Sequence, residues 1–156
     1  MPRRGLVKKR QIEPDPIYGS TVVVKLVNQV MQSGAKETAQ KIVYKALEKA
    51  AKELSVEPIS VLTQSILNVT PKQEVRPRRV GGATYQIPMP VKGERGQTLA
   101  IRWLIQSARA KEGKPMFEKL AEEFKEAYSN EGGAVKKKED VHRMAEANRA
   151  FAHFRW

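Results

Sequence analysis

The chain contains no cysteine and only two histidines, and its apolar runs are all far shorter than a membrane-spanning helix requires. Without cysteine it can form no disulfide, thiolate nucleophile or thiolate-bound metal centre. The two histidines, His142 and His153, lack a carboxylate set at metal-ligand spacing. We therefore expect no metal and no cofactor. The basic amino terminus is not followed by the apolar stretch of a signal peptide, so we expect a soluble, intracellular protein.

Signatures of catalysis are missing as well. No glycine-rich loop ends in the Lys-Ser or Lys-Thr pair of a phosphate-binding loop. The acidic pair Glu139-Asp140 stands near a predicted helix start, where interaction with the helix dipole is the simpler role. The terminal helix also offers no continuous apolar face for insertion into lipid. We therefore predict that the protein is not an enzyme and has neither a small-molecule substrate nor a membrane partner.

Positive charge is what the chain has in excess, with 29 Lys plus Arg against 17 Asp plus Glu and a net charge of +12. Residues 1–10, 72–95 and 136–156 carry +5, +4 and +3, which accounts for the whole excess. The rest of the chain is neutral overall. This distribution predicts a neutral scaffold with three basic appendages that bind a highly negative partner.

Apolar residues recur at steps of three and four through most of the chain, which is typical of amphipathic helices. The clearest stripe covers residues 39–54. A shorter helix is predicted before it, with Ser20 as N-cap and Gly34 as C-cap, although its valines are also compatible with a strand. A third helix is predicted between Pro58 and Pro71.

The second half of the chain continues the helical pattern. Residues 101–108 form a stripe, and Pro115 opens a helix that closes at the segment SNEGG. A last helix is expected from Val135 to about Phe154, and its predicted inner face consists of Val141, Met144, Ala145 and Asn148.

These patterns together predict the fold class. The protein is expected to be mainly α, a single-domain bundle of about six helices with a protruding two-stranded β-hairpin arm and a basic disordered amino-terminal tail. The domain covers residues 1–156, with the tail at 1–11, the arm at 72–91 and a basic terminal helix and tail at 134–156.

The hairpin arm is predicted from the segment EVRPRRVGGATYQIPMPV, residues 74–91. Glycine accepts the positive φ angles of a tight hairpin turn, so Gly81-Gly82 should join two strands that pair Val80 with Ala83, Arg78 with Tyr85 and Arg76 with Ile87. Neither face looks apolar enough to lie fully on a core. Such a basic ribbon matches a nucleic-acid groove, and the alternative is a structural arm whose arginine stems cover apolar side chains.

Three long segments carry a resemblance to a known family. They are the ribbon, TLAIRWLIQSAR and GGAVKKKEDVHRMAEANRAFAHFRW, and the amino-terminal motifs DPIYGS and MQSGAK agree with them. On these segments the chain resembles the bacterial-type small-subunit ribosomal protein seven family. The resemblance implies a protein that binds the 3′ major domain of small-subunit ribosomal RNA and nucleates assembly of the subunit head. It also implies a cytoplasmic, ribosomal location, and the residues are equally compatible with plastid stroma.

The charge and position of individual residues, taken together with the resemblance, predict which of them contact RNA. Those expected to bind ribosomal RNA are Arg3, Arg4, Lys8, Lys9, Arg10, Lys72, Arg76, Arg78, Arg79, Gln86, Arg95, Arg102, Arg109, Lys111, Lys136, Lys137 and Lys138. The hairpin tip and the terminal helix would border exit-site tRNA and mRNA, through Val80, Gly81, Gly82, Ala83, Arg143, Arg149, His153 and Arg155. The neighbouring proteins would be the ninth and eleventh of the small subunit.

Several alternatives stay open on the residues alone. Arginines on the ribbon can hold phosphate bidentately, and the lysines at the start of the last helix stand where free backbone N–H groups also attract phosphate. Trp103 suits core packing better than base stacking, and the amino-terminal tail could be merely solubilising. The main alternative function is an architectural DNA-binding protein that inserts its basic ribbon into a minor groove.

Overall fold

A computed structural model describes residues 11–154 of the chain, without the side chains of Val80 and Phe154. In order, the elements are α1 (Thr21–Val30), α2 (Lys36–Leu54), α3 (Pro58–Val69), β1 (Gln73–Val80), β2 (Ala83–Pro90), α4 (Gly93–Ala110), α5 (Met116–Tyr128), α6 (Gly132–Ala147) and a terminal 3₁₀ helix (Arg149–Phe154). The prediction of a mainly α bundle of about six helices with a two-stranded arm is confirmed. The predicted basic tail, with Arg3, Arg4, Lys8, Lys9 and Arg10, and Arg155 lie outside the described residues.

The core lies between the six α-helices, and its residues come from their apolar stripes. α5 packs against α2, α3, α4 and α6, so it is the central helix of the bundle. Its Phe124 and Leu120 are fully buried, as are Leu26 of α1, Leu47 of α2 and Leu104 of α4. Burying each such side chain contributes about 1.5–3 kcal/mol, and this burial holds the bundle together. Within the described residues, no helix is both long and apolar enough to cross a bilayer.

The first helix is helical despite its valines. Ser20 caps it as predicted, because its Oγ accepts a hydrogen bond from the N–H of Val22 at 3.3 Å. The helix ends earlier than predicted, with Met31 and not Gly34 as its C-cap. Met31 turns the backbone into an extended conformation at ψ 134°, and Gly34 lies beyond it in the loop at φ +77°. The predicted C-cap was therefore wrong.

The segment before α1 is fixed to α2 by a buried aspartate. One carboxylate oxygen of Asp15 accepts the backbone N–H groups of Ile17 and Tyr18, and the other accepts the hydroxyl of Tyr44 at 2.6 Å. Burial and this hydrogen bond raise the pKa of Tyr44 to about 12. Tyr18 adds an edge-on ring contact with Tyr44, with centroids 5.5 Å apart. The chain therefore leaves the bundle toward its amino terminus from a defined place on α2.

The last helix differs from its prediction at both ends. It begins at Gly132 and stops at Ala147, and the 3₁₀ helix that follows is a separate element. Asn148 makes the break: its backbone turns to φ −97° and ψ 13°, and its side-chain amide donates to the carbonyl of Met144 at 2.8 Å. Val141 and Ala145 are buried as predicted, whereas Met144 is 45% exposed, so its place on the inner face was wrong.

The start of α6 is anchored on α5 by a fully buried carboxylate. Oε1 of Glu123 accepts the N–H of Ala134 at 2.9 Å, and Oε2 lies 3.3 Å from Nζ of Lys111. Lys111 also donates to Glu126 at 2.7 Å. Burial opposes the charge on Lys111, but the two glutamates outweigh it and raise its pKa. Glu123 therefore both caps α6 and joins it to the end of α4.

We expect Glu123→Ala to lower the free energy of unfolding by about 2–4 kcal/mol, because it strands a buried N–H group and removes one of the two glutamates that hold Lys111. Glu122→Ala is the matched control. It removes a neighbouring carboxylate of the same helix whose ion pair with Lys114 is exposed and screened. The free energy of unfolding should therefore change little. Urea unfolding followed by circular dichroism measures both, and equal losses would contradict the role of Glu123.

Candidate nucleic-acid interface

The ribbon has the register that its sequence predicts. β1 and β2 are antiparallel, with Val80 opposite Ala83, Arg78 opposite Tyr85 and Arg76 opposite Ile87. Gly81 and Gly82 take φ angles of +57° and +91°, as the two-residue turn requires. The tip from Gly81 to Thr84 is exposed.

The base of the ribbon is packed on the bundle, but neither face lies on the core along its full length, as the sequence predicts. Ile87 is fully buried and Pro88 is buried. Both strands contact α6, and β2 also contacts the terminal 3₁₀ helix, where the ring of Tyr85 lies 5.1 Å from that of Phe151. The composition predicted a protruding arm, and the burial of Ile87 and Pro88 shows that its base is seated on the bundle. Only the outer half of the ribbon therefore projects.

Two of the predicted RNA-binding arginines lie on this projecting half. Arg79 is exposed and Arg78 is half-buried, and neither forms an ion pair with any residue between 11 and 154. Gln86 is exposed on the same face as Arg79. These side chains are available to an approaching phosphate or sugar.

The other cations of the ribbon region share one carboxylate. Glu74 is buried, and its Oε1 accepts from Nε of Arg76 at 2.6 Å and from Nε of Arg95 at 2.9 Å. Arg95 also contacts Oε2 at 2.9 Å. Glu74 was not among the predicted site residues, although its position two residues before Arg76 puts both side chains on one face of the strand. It joins β1 to the first turn of α4.

Two grooves border the ribbon base and share Lys72 and His142. One, of about 550 Å³, lies between the ribbon and the end of α6 and includes Arg149. The other, of about 530 Å³, lies between the ends of α3 and α5 and the side of α6, and includes Lys138. The structure thus brings Lys72, which precedes β1, close to Lys138 and Arg149 from the last part of the sequence, along one side of α6.

Some predicted RNA-binding residues have partners within the protein. Arg109 donates to the carbonyl of Val30 at 3.3 Å and so satisfies the end of α1, and Lys111 is held by its two glutamates. Lys138 donates to the carbonyl of Asn68 at 2.7 Å. Arg102 is exposed, and Trp103 is half-buried and packed against the core, which favours the packing alternative.

The start of α6 is a weaker phosphate site than the sequence suggested. Lys136 and Lys137 are exposed there, but the N–H of Ala134 is already bound to Glu123. Farther along, exposed Arg143 pairs with Asp140 at 2.5 Å. Arg149 and His153 are exposed on the 3₁₀ helix, where Nδ1 of His153 lies 2.8 Å from the carbonyl of Ala150. Among residues 11–154 no cluster of potential metal ligands occurs.

Comparison with known proteins gives matches along the whole chain. The family described as "Ribosomal protein S7p/S5e" matches residues 2–149. The small ribosomal subunit protein uS7 of Thermotoga neapolitana is 58% identical over 154 residues, 99% of either chain. The protein of that name from Symbiobacterium thermophilum is 55% identical over 156 residues, 100% of either chain. That of Thermosipho melanesiensis is 58% identical over 154 residues, again 99% of either chain.

His142 forms a pH-sensitive joint between α6 and the ribbon. Its Nε2 accepts the backbone N–H of Lys72 at 2.9 Å, which requires the neutral ring. Burial lowers the pKa of His142, and the charges of Lys138 and Lys72 lower it further. Because the folded pKa lies below the unfolded value of about 6.5, this stabilisation is complete above that pH and is lost as the pH falls.

We therefore expect the wild-type free energy of unfolding to fall more steeply than that of His142→Gln between about pH 7.5 and 5.5. Glutamine keeps an acceptor but does not titrate, so subtracting its profile removes the contributions of all other groups. Urea titrations at constant ionic strength measure the difference. Parallel profiles for the two proteins would show that His142 does not titrate differently on folding.

Proposed function

Since the chain belongs to the S7p/S5e family of ribosomal proteins, we propose that it binds the 3′ major domain of small-subunit ribosomal RNA and nucleates assembly of the subunit head. It is a protein of the small ribosomal subunit and not an enzyme. Its partners are ribosomal RNA and other ribosomal proteins in the cytoplasmic ribosome. Family membership also leaves no support for the alternative of an architectural DNA-binding protein.

The observation that carries the proposal is the cluster of cations around the ribbon base. Lys72 and Arg76 belong to the ribbon and Arg95 to the first turn of α4. Lys72 lines the groove beside α6, and the two arginines share the carboxylate of Glu74. Positive charge is thus concentrated at the ribbon base, where the ribbon, α4 and α6 meet. Phosphate contacts of this kind supply most of the affinity for RNA and fix the orientation of the protein.

The structure also suggests how the ribbon divides its contacts. The base is packed against α6 and can hold one RNA rigidly, whereas Gly81, Gly82 and Ala83 at the tip are exposed and have small or no side chains. We propose that the base, α4 and the start of α6 bind ribosomal RNA. Exit-site tRNA and mRNA would face the tip of the ribbon and the far end of the chain's last two helices. The tip consists of Val80, Gly81, Gly82 and Ala83, and the far end contributes Arg143, Arg149, His153 and Arg155. Proteins nine and eleven of the small subunit are the proposed neighbours.

The contribution of the projecting arginines can be tested with a charge-matched pair of variants. Arg78→Ala/Arg79→Ala should weaken binding to a transcript of the 3′ major domain about tenfold. It should also make the slope of log affinity against log salt concentration shallower by about two. Lys41→Ala/Lys52→Ala removes the same charge from exposed positions of α2 and should change binding little. The wild-type log–log slope should be roughly −5 or steeper.

Filter binding at several salt concentrations measures these affinities, with circular dichroism to check that each variant is folded. Neither arginine belongs to the core, so the helical signal should be unchanged. Equal effects of the two double variants would mean that total charge, and not the ribbon, determines binding.

Deletion of Val80–Ala83 should permit assembly of small subunits but alter retention of exit-site tRNA, because the packed base of the ribbon remains.

Truncation after Asn148 should alter tRNA retention too. It should also lower stability, because it removes Phe151 and with it the ring contact with Tyr85. Reconstitution of subunits with each variant gives the assembly yield, and tRNA dissociation from the resulting ribosomes gives the second readout. A tip deletion that blocks head assembly, or that leaves tRNA behaviour unchanged, would contradict this division.

A further inference from the structure

The Glu74 carboxylate stands out because it lies buried within the basic surface at the base of the ribbon. Its side chain is 10% exposed, and it lies between two arginines whose side chains are 49% and 48% exposed. The closest approaches are 2.6 Å to Arg76 and 2.9 Å to Arg95. Arg76 comes from β1 and Arg95 from the first turn of α4, so the carboxylate joins two elements.

A carboxylate at this place should weaken RNA binding if its only effect were to repel phosphate. Segment 72–95 contains two acidic residues, Glu74 and Glu94. Glu94 is exposed, and its carboxylate makes no ion pair with the described residues. Glu74 is instead buried and bonded to both arginines. The two residues therefore have equal charge but very different surroundings.

The bonds to Glu74 leave much of each guanidinium group available. Arg95 uses only Nε, so both of its terminal nitrogens stay free of partners within the described chain. Arg76 uses Nε and one terminal nitrogen. The terminal nitrogens of arginine can bind a phosphate bidentately, and a guanidinium that is already held in place loses less freedom on binding.

We propose that Glu74 is a positioning residue that holds Arg76 and Arg95 as a preformed fork for one phosphodiester of an RNA strand at the base of the ribbon. The inference rests on the proposed function and deepens it. It specifies a backbone phosphate, not a base, as the ligand at this place. It also gives a carboxylate inside a basic surface a positive contribution to binding.

Two single variants with the same charge change give opposite expectations. Glu74→Gln and Glu94→Gln each raise the net charge by one, so simple attraction predicts tighter RNA binding for both. If Glu74 positions the arginines, Glu74→Gln should weaken binding about fivefold and make the log–log salt slope shallower by about one. Glu94→Gln should bind as tightly as wild type or more tightly. Glu74→Asp keeps the charge and should recover part of the loss.

A double-mutant cycle separates positioning from a general loss of structure. In the background Arg76→Ala/Arg95→Ala, Glu74→Gln should cause no further loss of affinity, because the groups through which it acts are gone. Circular dichroism and thermal melting of every variant check the fold independently. A structural role would produce an additional loss in that background and a matching loss of thermal stability.

The outcome also distinguishes failure of this inference from failure of the proposed function. All affinities are measured for the full chain on the transcript of the 3′ major domain, with Arg78→Ala/Arg79→Ala included. If Glu74→Gln binds as tightly as wild type or more tightly while the Arg78/Arg79 variant is weakened, the positioning role is wrong and the proposed function stands. If wild type shows no salt-dependent binding to the transcript, the proposed function itself fails and the inference fails with it.

Discussion

The buried carboxylate of Glu123 determines where α6 points, and the basic surface of the protein depends on that direction. By accepting the N–H of Ala134 it fixes the start of α6 on α5, the central helix. α6 then receives the ribbon, through His142 and the backbone of Lys72. The ribbon in turn reaches α4 through Glu74 and Arg95. These joints form a closed path from α5 through α6 and β1 to α4, which packs on α5 again. A polar group at each joint is directional, whereas apolar packing alone would let the elements slide.

Local patterns in the sequence predicted the elements well because each depends on residues close to one another. The helical stripes, the Ser20 cap and the register around Gly81-Gly82 all involve spacings of a few positions. The errors occurred where the structure depends on residues that are far apart in the sequence. The break at Asn148 and the burial of Ile87 depend on what the rest of the fold places beside them, and no local spacing reports that.

The candidate surface was predictable in composition but not in detail. The sequence showed which segments carry the charge, but it did not show which cations are bonded within the protein. Arg109 bonds to Val30, 79 residues away, and Lys111 bonds to Glu126, 15 residues away. A cation count cannot separate such internally bonded groups from free ones. Glu74 was missed because, in a count of charges, a carboxylate in a basic segment only lowers the net charge by one. Its bonds to Arg76 and Arg95 become visible only in the structure.

The cations of the surface differ in how easily a phosphate can engage them, and this follows from their burial. Lys111 is 25% exposed and held by two glutamates, so recruiting it for RNA would leave the fully buried Glu123 without a counter-charge, which is strongly destabilising. Arg143 is 81% exposed, and its pair with Asp140 within one helical turn is worth only about 0.3–0.5 kcal/mol. A passing phosphate can displace Asp140 at almost no cost to the fold. Arg76 and Arg95 lie between these extremes, because their carboxylate is buried while their own side chains are half exposed. Under the proposed function, cations held near the joints of the fold would suit a stationary RNA, and the exposed cations at the far end would suit an RNA that departs.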